Sequence, residues 1–159
     1  ADLMTPQQRS ALMSRIRGKD TAPEKTVRSL LWRQGFRFRL HAKDIRGRPD
    51  IVLPKWRAVV LVHGCFWHGH DDCRLFQLPA TRAEFWRQKL AGNRARDHRT
   101  ITSLLEAKWR VAVVWECALK CDSAALGHAL GDWIRADPAS AEFFGQDGLL
   151  KTHPLSASP

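Results

Sequence analysis

No stretch of this chain comes near the roughly 18 consecutive apolar residues that a membrane-spanning helix needs. Its longest apolar run, around Val59–Val62, is the size of a strand. Ala1-Asp2-Leu3 lacks the basic-then-apolar pattern of a secretory leader, so an intracellular setting is expected. Four cysteines are present, and in such a setting disulfides between them are not expected. Neither an internal repeat nor a domain boundary is seen, so residues 1–159 are expected to form a single domain. Acidic residues are scarce, 16 Asp+Glu against 26 Lys+Arg, for a net charge of +10.

With 44% apolar and 26% charged residues, the chain has the composition of an ordinary globular protein rather than a disordered one. The positive charge is uneven: residues 1–120 hold 24 Lys/Arg against 11 Asp/Glu, residues 121–159 only 2 against 5. Eighteen of the cations are arginines, whose planar fork suits phosphate and base edges. A polyanionic partner is expected, nucleic acid rather than a membrane surface, because no basic amphipathic helix stands out. A basic but non-binding protein is the plain alternative, and charge alone does not decide between them.

Thr5-Pro6-Gln7-Gln8 reads as a capping box with proline at the first helical position, opening an N-terminal helix over about 5–17. Thr21-Ala22-Pro23-Glu24 repeats the signal and opens a second helix, closed by Gly35, with Glu24, Val27 and Leu31 on one face. Phe36–Leu40 alternates as a half-buried strand does, and Pro49–Leu53 is a second strand beyond the Gly47-Arg48 turn. Ala58–His63 is apolar on both faces and therefore central. After the irregular segment 64–79, Thr81-Arg82-Ala83-Glu84 caps a helix that is expected to break near Gly92-Asn93 and resume from Arg94 to Ala107. A strand over Arg110–Glu116 and a helix over Ser123–Arg135 follow, leaving 137–159 as a peripheral tail. The order predicts an α/β fold: a mixed sheet of four to five strands flanked by helices, with a helical crossover that lays 110–116 beside 58–63.

Two features carry chemistry. Cys65, His70 and Cys73 stand at C-x4-H-x2-C in a loop that could fold around one ion. Structural zinc takes four nitrogen or sulfur ligands. Cys117, at the end of the strand expected beside Ala58–His63, is a better fourth ligand than Cys121. Free thiols and surface histidines are the alternative. The second feature is Asp50, the one acid at the head of an apolar strand, where a carboxylate is costly unless it is paired or holds a cation. Magnesium takes one or two carboxylates and completes its shell with water and substrate oxygens. Pairing with Arg46 or Arg48 at the turn is the alternative. His41, His98, His128 and His153 show no constellation and read as solvated or structural.

The helix, Pro-Asp, strand, strand order resembles the restriction-endonuclease-like (PD-(D/E)xK) nuclease fold. The finer likeness is to the very-short-patch-repair (Vsr-type) mismatch endonucleases. It rests on Arg9-Ser10 with Met13, Thr21-Ala22 with Glu24-Lys25, Gly47-Arg48-Pro49-Asp50 and the block His63-Gly64-Cys65-Phe66-Trp67-His68. Pro79-Ala80-Thr81-Arg82 with Glu84-Phe85-Trp86, Trp109-Arg110-Val111 and Val114 to Leu119 complete it, so that it spans about residues 5–120. The resemblance implies a bacterial cytoplasmic enzyme, nucleoid-associated and monomeric, with mismatch-repair proteins as further partners. It implies hydrolysis of one phosphodiester on the 5′ side of the thymine in a T:G mismatch, the lesion left by deaminated 5-methylcytosine.

By the same resemblance Asp50 and the backbone carbonyl of Val62 hold catalytic magnesium. His68 stands beside the scissile phosphate, with His63 and Glu24 in support. Cys65, His70, Cys73 and Cys117 hold a structural zinc, and Phe66, Trp67 and Trp86 wedge into the base stack. Phe85 is expected to be ordinary core. Two departures stand out. No acidic-x-Lys pair follows Asp50 on the next strand, a loss that the Vsr-type family shares. Gly69 and Asp71-Asp72 replace a His-rich run in a loop one residue longer, which keeps His68 open as a zinc ligand in place of His70. Two rivals remain: a dimeric restriction-type or junction nuclease acting on matched DNA, and a zinc-stabilised DNA-binding protein without catalysis.

Overall fold

Strands rich in valine and leucine on both faces need cover on both sides, and the architecture supplies it. The computed structural model describes residues 5–8 and 20–155. Six strands form one sheet in the order β1 to β6: β1 (Arg39–Leu40), β2 (Ile51–Leu53), β3 (Ala58–His63), β4 (Arg110–Trp115), β5 (Ala141–Gln146) and β6 (Leu149–Pro154). β3, β4 and β5 run parallel, while β1–β2, β2–β3 and β5–β6 are antiparallel. The mixed sheet is as expected, although with six strands rather than four to five. Helices α1 (Ala22–Arg33), α2 (Ala83–Glu106) and α3 (Glu116–Ala136) flank it. Val27 and Leu31 of α1 with Leu126, Leu130 and Ile134 of α3 cover one face over Ile51, Val60 and Val114. Leu104 and Ile101 of α2 cover the other over Val52, Val59 and Val113. Among the described residues no helix is long and apolar enough to cross a membrane.

The N-terminal capping box is formed: Gln8 N–H donates to Thr5 Oγ1 at 3.1 Å, and Thr5 N–H to Gln8 Oε1 at 2.9 Å. The remainder of the helix expected over 5–17, with Arg9, Ser10 and Met13, lies outside the described residues.

Four local expectations are corrected. α2 runs unbroken through Gly92 for 24 residues, because a helical glycine costs only about 1 kcal/mol against alanine. Its cap is Arg82 in a left-handed conformation, with no side-chain capping bond. Glu116–Cys121, read in part as strand, is helical; the chain then kinks at Asp122 (φ −164°), whose Oδ1 accepts the Ala125 N–H at 3.0 Å and caps the expected helix. The supposed tail supplies β5 and β6, with Ala141 and Phe143 buried in the core. The hairpin signal was present as Asp147-Gly148, both residues at positive φ (53° and 74°) as a type I′ turn requires.

Candidate active site and metal centre

Strand direction builds the site. β2 begins and β3 ends at the same end of the sheet because the two are antiparallel, and β4, parallel to β3, ends there as well. Asp50 stands one residue before β2. Its Oδ2 accepts the Val62 N–H at 2.8 Å, and its Oδ1 lies 3.9 Å from His41 Nδ1. Burial pushes the Asp50 carboxyl up to about 7 against the lowering effect of the Val62 bond, and the Glu24 carboxylate adds to the rise. A carboxyl in this state favours a proton or a cation. Among the described residues no ion pair joins it to Arg46 or Arg48, so turn pairing does not account for it.

Glu24 is 3% exposed. Its Oε2 accepts the Asp20 N–H at 2.8 Å and Arg28 Nη2 at 3.1 Å, while its own N–H reaches Thr21 Oγ1 at 3.4 Å. Glu24 thus takes part in the helix cap and lines the same cleft as Asp50. His41, read as solvated or structural, in fact bridges this group to Asp50. Its Nε2 is 3.1 Å from Arg28 Nη2, and its N–H donates to the Asp50 carbonyl at 3.2 Å from a left-handed backbone (φ 47°). A non-glycine residue held there is costly, and such strain gathers at functional sites.

His63, the last residue of β3, stacks flat on His68 at 3.9 Å between centroids. Burial holds the His63 imidazole down to about 3, so it stays neutral. His68 Nδ1 is 2.6 Å from Asp97 Oδ2. Asp97 carries no motif in the sequence. It belongs to a polar set on α2, Lys89, Asn93, Arg96, Asp97 and Thr100, whose helical spacing was the available signal. These side chains, together with Glu24, Asp50, Val62, His63, Phe66, Trp67 and His68, line one cleft of about 740 Å³. Phe66 packs on Trp86 (5.4 Å) and Trp67 (5.1 Å) in edge-to-face geometry. Phe85 is not core: it is 45% exposed, 5.3 Å from Trp86, with the Arg82 guanidinium 4.3 Å from its ring centre.

The parallel pairing of His63 with Trp115 brings Cys65 beside Cys117, two residues further along each chain. One donor atom from each of Cys65, His70, Cys73 and Cys117 lies within 4.8 Å of the others, while Cys121 is outside the group. His70 Nδ1 is 3.5 Å from Cys117 Sγ, and its ring stacks on Trp115 at 3.9 Å. The Cys65 thiol, with help from His70 and the Gly145 N–H (3.3 Å), holds the Cys117 thiol down to about 4. The hydrogen bond with Cys117 and burial push Cys65 up, and burial raises Cys73. Three sulfurs and one imidazole at this spacing can hold a metal, and the donor set suits zinc. His68 is turned to Asp97 instead, so His70 is the member of the group.

Residues 1–75 match the profile of the family described as DNA mismatch endonuclease Vsr. The chain is 55% identical over 118 residues to the Type II nicking enzyme V.XorIIP of Xanthomonas oryzae pv. oryzae, covering 74% of this chain and 86% of that protein. It is 47% identical over 146 residues to the DNA mismatch endonuclease Vsr of Escherichia coli K12, covering 89% and 93%. Against the Type II nicking enzyme V.NmeAIP of Neisseria meningitidis serogroup A the identity is 44% over 119 residues, covering 75% and 84%.

Proposed function

The chain belongs to the Vsr family of DNA mismatch endonucleases, and from that membership we propose that it nicks one strand on the 5′ side of the thymine in a T:G mismatch, with magnesium. That it is an endonuclease sets aside the reading as a DNA-binding protein without catalysis. The observation that carries the finer proposal is the shared cleft: a proton-hungry carboxyl, a histidine held by a carboxylate and a group of aromatic rings line the same space. Asp50 and the Val62 carbonyl are the proposed magnesium donors. Bound there, the ion would polarise the phosphate and lower the pKa of the attacking water.

The chain's own residues do the rest. Asp97 fixes the His68 ring through Nδ1, leaving Nε2 to exchange a proton at the scissile phosphate. Neutral His63 backs that ring and keeps it in plane. Glu24, tied to Arg28, keeps negative charge close to Asp50. Phe66, Trp67 and Trp86 are the proposed wedge: a wobble pair resists unstacking least, and the few kcal/mol this costs are recovered by phosphate contacts from the arginines. Cys65, His70, Cys73 and Cys117 hold zinc, which shapes the loop carrying His68 and the rings. A monomer suffices, since one site makes one cut. Such a substrate implies cytoplasmic work at the nucleoid, with mismatch-repair proteins as partners.

The deciding experiment compares T:G with fully matched duplexes, with and without magnesium, beside a mass measurement in solution. Nicking of only the T:G duplex by a monomer is expected. Equal cutting of matched DNA by a dimer would favour the restriction-type rival. A further expectation concerns Asp97→Asn, which leaves His68 without its anionic partner. Its kcat should fall on the order of 10–100-fold with DNA affinity unchanged, because only proton transfer is affected.

A further inference from the structure

The segment 64–79 has no regular secondary structure, yet α2 ties three successive residues of it. Asn93 Nδ2 donates to the Trp67 carbonyl at 2.8 Å, Asp97 takes His68 Nδ1 at 2.6 Å, and Arg94 donates to the Gly69 carbonyl through both Nε (3.0 Å) and Nη2 (2.6 Å). Arg94 Nη2 also reaches Asp71 Oδ1 at 3.0 Å. Gly69 is buried at φ +59°, and a Cβ built on it would lie 2.5 Å from Arg94 Nε. The guanidinium therefore fills the space that any side chain at 69 would claim.

We infer that Arg94 is a positioning residue. Its fork on the Gly69 carbonyl sets His68 on one side and His70 on the other, and so governs the rate of strand cleavage rather than DNA affinity. The inference rests on the catalytic reading of His68 given above. The geometry separates Arg94 from the phosphate-binding arginines. A guanidinium held by two bonds to one carbonyl and a third to a carboxylate is committed to the loop, and two parallel donors fix direction as well as distance. In a loop whose own backbone bonds are turn-like (His68 N–H to the Gly64 carbonyl, 3.2 Å; Gly69 N–H to the Phe66 carbonyl, 3.1 Å; His70 N–H to the Cys65 carbonyl, 2.9 Å), that restraint sets the backbone from which the Asp97-held His68 ring projects. A displacement of about 1 Å at a reacting group costs on the order of 10²-fold in rate.

Single-turnover nicking and DNA binding of Arg94→Ala, Gly69→Ala, the double variant and His68→Ala test the assignment, each with its zinc content measured. Arg94→Ala should lose roughly 10–100-fold in kcat, with KM and Kd within about threefold of wild type and one zinc per chain. Gly69→Ala should lose a similar amount. The double variant should be within about twofold of the worse single, because both changes break one contact. A rise in KM and Kd at unchanged kcat would make Arg94 a phosphate contact and overturn the inference, as would losses that multiply in the double variant. Should Arg94→Ala shed its zinc, undiminished kcat in Gly69→Ala would overturn it equally. A fully active His68→Ala would instead sink the catalytic reading on which the inference rests.

Discussion

Asp50→Ala should abolish nicking while leaving the enzyme on its DNA. The carboxylate is the proposed anchor for an ion that contributes several kcal/mol to the transition state, so a loss of roughly 10³-fold or more is expected in single-turnover cleavage. The DNA dissociation constant should stay within about threefold, because the change removes a negative charge beside a phosphate and no cation that binds one. Full activity in this variant would refute the assignment of the site.

The raised pKa makes a second, independent demand on Asp50. Its carboxyl titrates near 7 in the folded, metal-free protein because burial disfavours the charge. An unfolded aspartate titrates near 4. The folded state thus holds the proton more tightly, and the ionised carboxylate costs stability above pH 7. That cost recedes as the pH falls through 7 and is gone below the unfolded value. Magnesium-free wild type with its zinc retained should gain stability between pH 8 and pH 5 from this group, and Asp50→Asn should lack that gain while being the more stable protein at pH 8. A difference on the order of 2–4 kcal/mol is expected from denaturant unfolding at the two pH values. Identical pH profiles would mean that the carboxyl is not buried as described. Below pH 7 a cation must also displace the proton, so half-maximal nicking should need about tenfold more magnesium per pH unit and level off above.

Cys117→Ser should cost the protein its structural metal and with it the active loop. The four donors come from two places 44 residues apart, Cys73 and Cys117, so a bound ion would tie loop 64–79 to the head of α3. Removing a thiolate that the surroundings hold ready for a cation leaves three ligands and a loop with little packing of its own. Loss of a bound metal belongs to the largest class of point-mutant effects, and for a chain of this size about 4 kcal/mol corresponds to a thermal midpoint lower by roughly 8–16 °C. Nicking should fail with it, since Phe66, Trp67 and His68 all ride on that loop. Cys121→Ser is the control: the neighbouring cysteine stands outside the donor group, and its replacement should keep one zinc per chain and leave the midpoint within about 2 °C. Equal losses in both variants would refute the ligand assignment.

How much of this was legible in advance follows the range over which each signal acts. Thr21, Pro23 and Glu24 cap a helix through bonds spanning three or four residues, and the solid apolar run of Ala58–His63 needs cover on both faces whatever else the chain does. The Cys65, His70, Cys73 spacing closes within one loop, and even Cys117 could be chosen over Cys121 because a crossover to a parallel neighbour fixes which strand ends meet. The Asp147-Gly148 hairpin is equally local, but its strands are poor in β-branched residues and follow a Pro-Ala-Ser stretch, so they read weakly as strands. Gly92 misled in the opposite sense, since its intrinsic cost is small beside the side chains that anchor α2 on either side of it.

The chain's own order of residues thus determined the caps at Thr5 and Thr21, the central strand, the spacing of Cys65, His70 and Cys73 and the lone acid at position 50. Only the tertiary structure decided that His41 would bridge Glu24 to Asp50, that Asp97 and Arg94 would hold the loop at His68 and Gly69, and that Phe85 would face solvent. Those pairings join residues 9 to 29 positions apart, or set one side of a helix against water. They depend on how α1, α2 and the loop dock on the sheet, and no local propensity or spacing encodes where two packed elements will touch.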